Sequence, residues 1–130
     1  AEIALRVGCI GEGLSVPTLE GTARAATHPL VRAVLARLAK DERPHMHIGW
    51  LVLGWALPSL DEAARARLGA VAEAEIGAFR AEWAAVERQG EGADEATFHA
   101  LGWLTPEEFG PVARAGERRL RCKLARAGLA

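Results

Sequence analysis

The chain has 130 residues, of which half are apolar, and a formal net charge of −1. This length and apolar content suffice for one domain with a modest core. Because acids and bases are interleaved and no basic block occurs, the composition gives no electrostatic case for nucleic acid or a membrane surface.

The longest apolar run, residues 46–57, is too short to span a bilayer. Cys9 and Cys122 indicate core residues in a reducing compartment, so we expect a cytoplasmic location.

The residue types favour helices, and we predict an all-α fold. Alanine, leucine, arginine and glutamate dominate, tyrosine is absent, and β-branched residues are scarce. The first helical segment is predicted at residues 2–26, with a kink or a late start because several glycines and a proline interrupt it. The second is predicted at residues 29–57, where Thr27 or His28 can cap it and Pro29 suits its first position.

Two further segments complete the predicted bundle. The third is predicted at residues 60–89, and residues 90–97 are predicted to form a loop. The fourth, at residues 105–126, opens with the capping-box signature in "LTPEEF". Short connections between long helices imply antiparallel neighbours. We therefore predict a single domain, residues 1–130, built as an antiparallel helical bundle.

The glycines near the start permit one other interpretation. The stretch "IALRVGCIGEGLS" resembles a strand that runs into a phosphate-binding loop. Its GxxGxG spacing matches neither the dinucleotide fingerprint nor the Walker loop, and no second βα unit follows. The helical interpretation is therefore favoured.

The second segment carries a stripe of small or apolar residues that two polar side chains interrupt. The stripe follows steps of four and three along the segment, which predicts that it faces inward. Its polar members, Glu42 and His45, stand three positions apart on one helical face, as in the Glu-x-x-His element of di-iron carboxylate bundles. The members of the stripe are Val31, Leu35, Leu38, Glu42, His45, Gly49, Val52 and Ala56.

The first segment carries a similar stripe that one acid, Glu12, interrupts. If the chain reverses near Thr27, Glu12 lies fifteen residues before the turn and Glu42 fifteen after it. At a rise of about 1.5 Å per residue, both lie about 22 Å from the turn. We therefore expect two carboxylates and the His45 imidazole to converge between neighbouring helices. The first stripe consists of Leu5, Gly8, Glu12, Ser15, Leu19, Thr22 and Ala26.

A metal ion would explain acids at an inward position. An unpaired buried carboxylate is costly, and two adjacent carboxylates repel each other. A divalent or trivalent cation removes both problems, and a donor set of carboxylates and imidazole suits iron or manganese. In the alternative, the second helix is rotated, so that Glu42 and His45 face solvent or pair with Arg6, Lys40 or Arg43.

The stretch from "GCIGEGLS" to "KDERPHMHIGWLVLGWAL" resembles the second half of the core of ferritin-like proteins, which are di-iron carboxylate four-helix bundles. The resemblance covers residues 1–57. The remainder, residues 58–130, resembles the helical extension that follows this core in some bacterial ferritin-like proteins. The first residue is alanine rather than methionine, and we expect a processed or partial version of a longer protein.

The resemblance implies that Glu12, Glu42 and His45 bind the metal and that Asp41 orients a histidine. It implies O₂-dependent oxidation of Fe²⁺ or of a small-molecule substrate at a di-iron centre. The other half of the family's site, one glutamate and a second Glu-x-x-His, has no counterpart in this sequence. A second copy in a homodimer would supply it, as would N-terminal helices that this sequence lacks. The alternative function is a non-catalytic helical module for binding or assembly with a degenerate metal site.

Several features nearby receive structural interpretations. Pro44 removes a backbone donor between the two ligands, so we expect a π-bulge or a kink there, or a site that has decayed. His47 points about 200° away from His45 on a helix, although on a strand the two would form a metal-binding pair. His28 is expected to be a cap and His99 a loop residue, and the four tryptophans are expected to anchor helix packing.

Overall fold

The computed structural model describes residues 1–89 and 94–130. Its helices are α1 (Glu12–Ala25), α2 (Pro29–Ala56), α3 (Glu62–Gln89), α4 (Glu95–Leu101) and α5 (Pro106–Arg126). A π-helical segment, Ala4–Gly11, runs directly into α1, and a short 3₁₀ turn, Leu57–Ser59, ends α2. The described residues contain no strand. The predicted all-α bundle is therefore confirmed.

The π segment and α1 form a central rod that the other long helices surround. The segment packs on α2 and α3, while α1 packs on α2 and α5. Helices α3 and α5 also contact each other. No helix among the described residues is long and apolar enough to cross a membrane.

The main core lies on one side of this rod. Leu5, Cys9 and Ile10 of the π segment are fully buried, and they meet apolar residues from α2, α3 and α5. Burial raises the pKa of the Cys9 thiol to about 12, so this thiol remains protonated. Cys122, in contrast, is exposed, and the prediction that both cysteines are core residues is wrong for it. The other core members are Leu14, Leu53, Leu57, Leu68, Ala72, Ile76, Leu120, Leu124 and Leu129.

Predicted helix ends agree with the structure in two places and differ in one. Pro29 occupies the first turn of α2, and Thr105 with Glu108 forms a complete capping box on α5. Part of the loop predicted at residues 90–97 is instead the start of α4, which Asp94 caps through a bond from the Thr97 amide. Residues 90–93 of that predicted loop lie outside the described residues.

The backbones of the π segment and α2 touch at two glycines. A Cβ atom added at Gly49 would lie only 2.6 Å from the Gly8 Cα, and one added at Gly8 would lie 2.6 Å from the Gly49 Cα. Real Cβ atoms do not approach backbone this closely, so any side chain here would push the two helices apart. Glycine at both positions is therefore what allows this close crossing.

One carboxylate is buried in the scaffold between α3 and α5. The Glu117 side chain accepts hydrogen bonds from Arg80 Nε at 2.9 Å and from Arg121 Nε at 2.7 Å. Arg121 also donates to Glu73 on α3, at 2.7 and 3.0 Å. The Arg80 hydrogen bonds hold the pKa of Glu117 below its usual range, with Arg121 contributing and burial opposing. This network joins α3 to α5 through charge-assisted bonds.

The glycine contact predicts an asymmetric response to alanine along α2. Gly49→Ala should lower the free energy of unfolding by about 1–3 kcal/mol, because the added methyl group overlaps the Gly8 backbone. Gly54→Ala is the matched control, since nothing lies within 4 Å of its added Cβ; helix propensity should raise stability there by up to about 1 kcal/mol. Urea unfolding followed by circular dichroism measures both. Equal effects would contradict the close crossing.

The buried ion network predicts acid-dependent stability. The pKa of Glu117 is depressed in the folded state, so its contribution is complete above the unfolded value of about 4.3 and disappears as pH falls through the folded pKa. Glu117→Gln should therefore cost about 1–3 kcal/mol at neutral pH, and the two unfolding free energies should converge in acid. Glu82→Gln, at an exposed position on α3, is the control. A gap between wild type and Glu117→Gln that stays constant with pH would contradict this account.

Candidate metal centre

The residue that opens α1, Glu12, is positioned by the π segment. The Glu12 amide donates to the carbonyl of Val7, five residues back, rather than to the carbonyl four back. The glycines at positions 8, 11 and 13 lower the preference for a regular α-helix over this stretch. The π-helical segment is eight residues long, and π-helical geometry is often found at functional sites. The π-helical geometry therefore lies in the first helix, whereas a π-bulge, a kink or a decayed site was expected at Pro44 in the second.

Glu12, Glu42 and His45 converge between the first helix and α2, as the depth calculation predicted. One ligand atom from each side chain lies within 4.8 Å of the others. The His45 Nδ1 atom lies 2.6 Å from the Glu42 Oε2 atom. No other group of three or more histidine, cysteine or acidic side chains in the described residues is arranged to hold an ion.

Ser15 belongs to the site, a role that the sequence analysis did not assign. Its hydroxyl donates to Glu12 Oε2 at 3.3 Å, three residues along the same helix. The signal was present in the sequence, because Ser15 follows Glu12 in the stripe of the first segment. This hydrogen bond limits the orientations that the Glu12 carboxylate adopts.

The arginines considered as partners for these acids are engaged elsewhere. Arg6 pairs with Glu2 at 2.8 Å and also with Glu75, while Arg43 donates to Glu20. No hydrogen bond or ion pair in the described residues joins Lys40 to Glu42 or His45. The acids of the cluster are therefore not neutralised by the basic residues that the alternative interpretation named.

Asp41 does not occupy the role that the resemblance implied. Its carboxylate accepts from Arg37 Nε at 2.7 Å, one helical turn earlier on the exposed side of α2. Within the described residues it makes no hydrogen bond to a histidine. The prediction that Asp41 orients a histidine is wrong for this structure, because the local pairing with Arg37 satisfies the carboxylate instead.

The orientation of the stripe on α2 also differs from the prediction. Gly49 is buried, yet Leu38 is 43% exposed, Val52 is 42% exposed, and the His45 side chain is 59% exposed. Glu42 is partly buried, at 31%. The stripe was expected to face inward, but α2 directs Leu53 rather than Leu38 or Val52 into the core. The cluster therefore opens onto the surface of this chain.

The remaining histidines lie outside the cluster. His47 is exposed on another face of α2, as predicted. His28 takes the cap position of α2, although its side chain makes no capping hydrogen bond. His99 was predicted to be a loop residue, but it lies on α4, where its Nε2 is 2.9 Å from a Glu108 carboxylate oxygen. The histidine on α4 thus links that helix to the start of α5.

The tryptophans divide between packing and exposure. Trp50 and Trp83 are partly buried against the core, whereas Trp55 and Trp103 are 83% and 59% exposed. The packing role predicted for all four is therefore wrong for Trp55, whereas the Trp103 ring still packs edge-on against Phe98 of α4, with ring centroids 6.2 Å apart. Trp50 lines a cavity of about 520 Å³ between α1, α2 and α5, and Lys123 lies 5.4 Å from the centre of its ring.

The donor set fits a single transition-metal ion. Two carboxylates and an imidazole suit iron or manganese. Donors bonded to one ion at about 2.1 Å lie at most about 4.2 Å apart, so the 4.8 Å limit requires only a small side-chain movement. Three residues nevertheless make up only half of the six that a di-iron carboxylate centre uses.

Comparisons with protein-family models, curated proteins and solved structures found no match. The ferritin-like resemblance therefore remains a prediction from the sequence. What the structure adds is independent of it, namely the meeting of three donors from two helices.

Pro44 lies inside α2 without interrupting the helix, although it lacks the amide that would bond to the Lys40 carbonyl. Pro44→Ala should restore that bond and raise the free energy of unfolding by about 2 kcal/mol. Pro29→Ala is the control, since an amide in the first turn has no partner within the helix, and a change below about 1 kcal/mol is expected there. Thermal and urea unfolding measure both variants. A neutral or destabilising Pro44→Ala would show that the ring contributes packing that offsets the missing bond.

Proposed function

We propose that this chain is a ferritin-like iron-binding protein in which Glu12, Glu42 and His45 provide half of a di-iron carboxylate centre. The observation that carries the proposal is the convergence of these donors within 4.8 Å, from helical segments thirty residues apart. Their spacing from the turn predicted this meeting. Arg6 and Arg43 do not explain it, because they pair with other acids.

Each residue would have a definite task. The two carboxylates would offset the charge of the cation, and the cation would relieve their mutual repulsion. His45 would contribute a neutral nitrogen, and the Ser15 hydroxyl would hold Glu12 in the orientation that reaches the ion. Bound iron would supply an Fe²⁺/Fe³⁺ couple able to react with O₂. The activity proposed is O₂-dependent ferroxidase or oxidation of a small-molecule substrate, with manganese as the other candidate metal.

The exposure of the cluster bears on how such a centre is completed. A site open to solvent on one side leaves room for further donors there. A second chain, or N-terminal helices that this sequence lacks, would bring the missing glutamate and Glu-x-x-His.

A non-catalytic helical module is the second candidate function. Two observations favour it: the 59% exposure of the His45 side chain and the retention of Pro44 between the two donors of α2. In that case the scaffold would support binding or assembly and the donors would be a remnant.

Metal binding distinguishes the two functions. Purified chain should bind Fe²⁺ under anaerobic equilibrium dialysis at about one ion per chain, and Glu42→Ala should weaken the affinity at least about 100-fold. Asp41→Ala is a matched control, because it removes the neighbouring carboxylate that pairs with Arg37 and should leave binding unchanged. Mass spectrometry of the dialysed protein measures the metal content.

Two outcomes would count against the proposal. Iron near zero in wild type and Glu42→Ala alike would leave the non-catalytic module as the function. If iron binds but its oxidation in air is no faster than in buffer, the metal site stands and the oxidase activity is rejected.

A further inference from the structure

The outer face of α2 carries an apolar stripe that the described chain does not cover. Six large apolar side chains, separated by steps of four, four, ten, four and three residues, fall within an arc of about 100° around the helix and are between 42% and 83% exposed. A helical face of this kind normally packs against a partner. The members of this stripe, which we call the outer stripe, are Leu30, Val34, Leu38, Ile48, Val52 and Trp55.

The outer stripe and the candidate metal centre belong to the same face. His45 stands seven residues after Leu38 and three before Ile48, within the gap of the stripe. At 100° per residue, His45 falls within about 20° of Leu38 and of Val52 around the helix axis. The cluster that lacks half of its donors is therefore flanked along α2, on both sides, by uncovered apolar surface.

The π segment extends this surface. Gly8 packs on Gly49 in an antiparallel crossing, which brings Ile3 and Val7 to the level of residues 50–54 of α2, a range that includes Val52. Ile3 and Val7 are 80% and 60% exposed, whereas their neighbours at positions 5 and 9 are buried in the core. The apolar surface is therefore shared by both helices that hold the donors.

The area is sufficient for a stable interface. With Leu51, which is 59% exposed, nine large apolar side chains lie on or beside this face. At roughly 100 Å² for each, they offer on the order of 900 Å². A standard interface buries about 800 Å² per partner, and the largest exposed apolar patch on a typical monomer is about 300–600 Å².

We infer that this face binds a second copy of the chain, related by a two-fold axis that passes beside the metal centre. A two-fold contact needs a surface that is complementary to itself, and an apolar stripe meets that condition. Each copy carries two glutamates and one histidine in the cluster. Two copies therefore provide four glutamates and two histidines, which is the donor set of a complete di-iron centre. The inference that the dimer completes a di-iron centre rests on the proposed function, whereas the inference that the apolar faces pair does not.

Charge explains why the metal and the second copy would act together. Four carboxylates gathered at one axis repel each other, which weakens the pairing of metal-free chains. A cation bound between them removes this repulsion. Mn²⁺ or Fe²⁺ should therefore tighten a dimer that the outer stripe already stabilises.

The double substitution Val34→Glu/Val52→Glu tests the inference. Both positions are about half exposed, so the chain should keep its helical content, which circular dichroism checks. Sedimentation velocity with chelator should show a wild-type dimer and a monomeric variant, with the dissociation constant raised at least about 100-fold. Val86→Glu, at a position 47% exposed on α3, is the matched control and should remain dimeric. The same experiment with Mn²⁺ should show a tighter wild-type dimer.

Three results would overturn the inference. These are a wild-type monomer with and without Mn²⁺, a dimer that survives Val34→Glu/Val52→Glu, and a dimer that Val86→Glu disrupts equally. A wild-type monomer would mean that a different protein or another segment covers the outer stripe. The samples with chelator test the dimer interface in the absence of metal. The iron titration of Glu42→Ala tests the metal site, so a missing interface and a missing metal site give different results.

Discussion

The contact between Gly8 and Gly49 determines the geometry of the whole first half of the molecule. With no side chain on either residue, the backbones approach until an added Cβ would lie 2.6 Å from the opposing Cα. Glu12 stands four residues after the first glycine, and His45 stands four before the second. In an antiparallel pair, both are one turn from the crossing in the same direction, so they meet. The donor cluster is therefore a consequence of the close crossing.

The backbone near Glu12, Glu42 and His45 departs from a regular α-helical pattern, whereas the rest of the scaffold follows it. The first helix adopts a π register just before Glu12, and α2 carries a proline between Glu42 and His45. Irregular backbone near a site is a common pattern, because function and stability impose different demands. The opposite side of the first helix is ordinary, with a fully buried apolar core and a satisfied ion network around Glu117.

The two sides of the first helix differ in how far the described chain covers them. The core side is complete within one chain, since α3 and α5 cover it. The other side leaves apolar residues of α2 uncovered and the cluster open. Both features share one face of α2, where Leu38 and Val52 lie within about 20° of His45 around the helix axis. One partner placed on that face would cover both features.

The sequence by itself determined the all-α class, most of the helix boundaries and the meeting of Glu12, Glu42 and His45. Helix propensity, capping residues and the fixed rise per residue are local properties. In a helical hairpin, the rise per residue gives the distance of each residue from the turn, so residues equally far from the turn lie side by side. Only the tertiary structure decided which way the α2 stripe faces, where the π turn lies, and that Asp41 pairs with Arg37. Periodicity defines a face on a helix but not the direction in which that face points. That direction depends on the helices packed around it, and here α3 and α5 lie on the other side of the first helix.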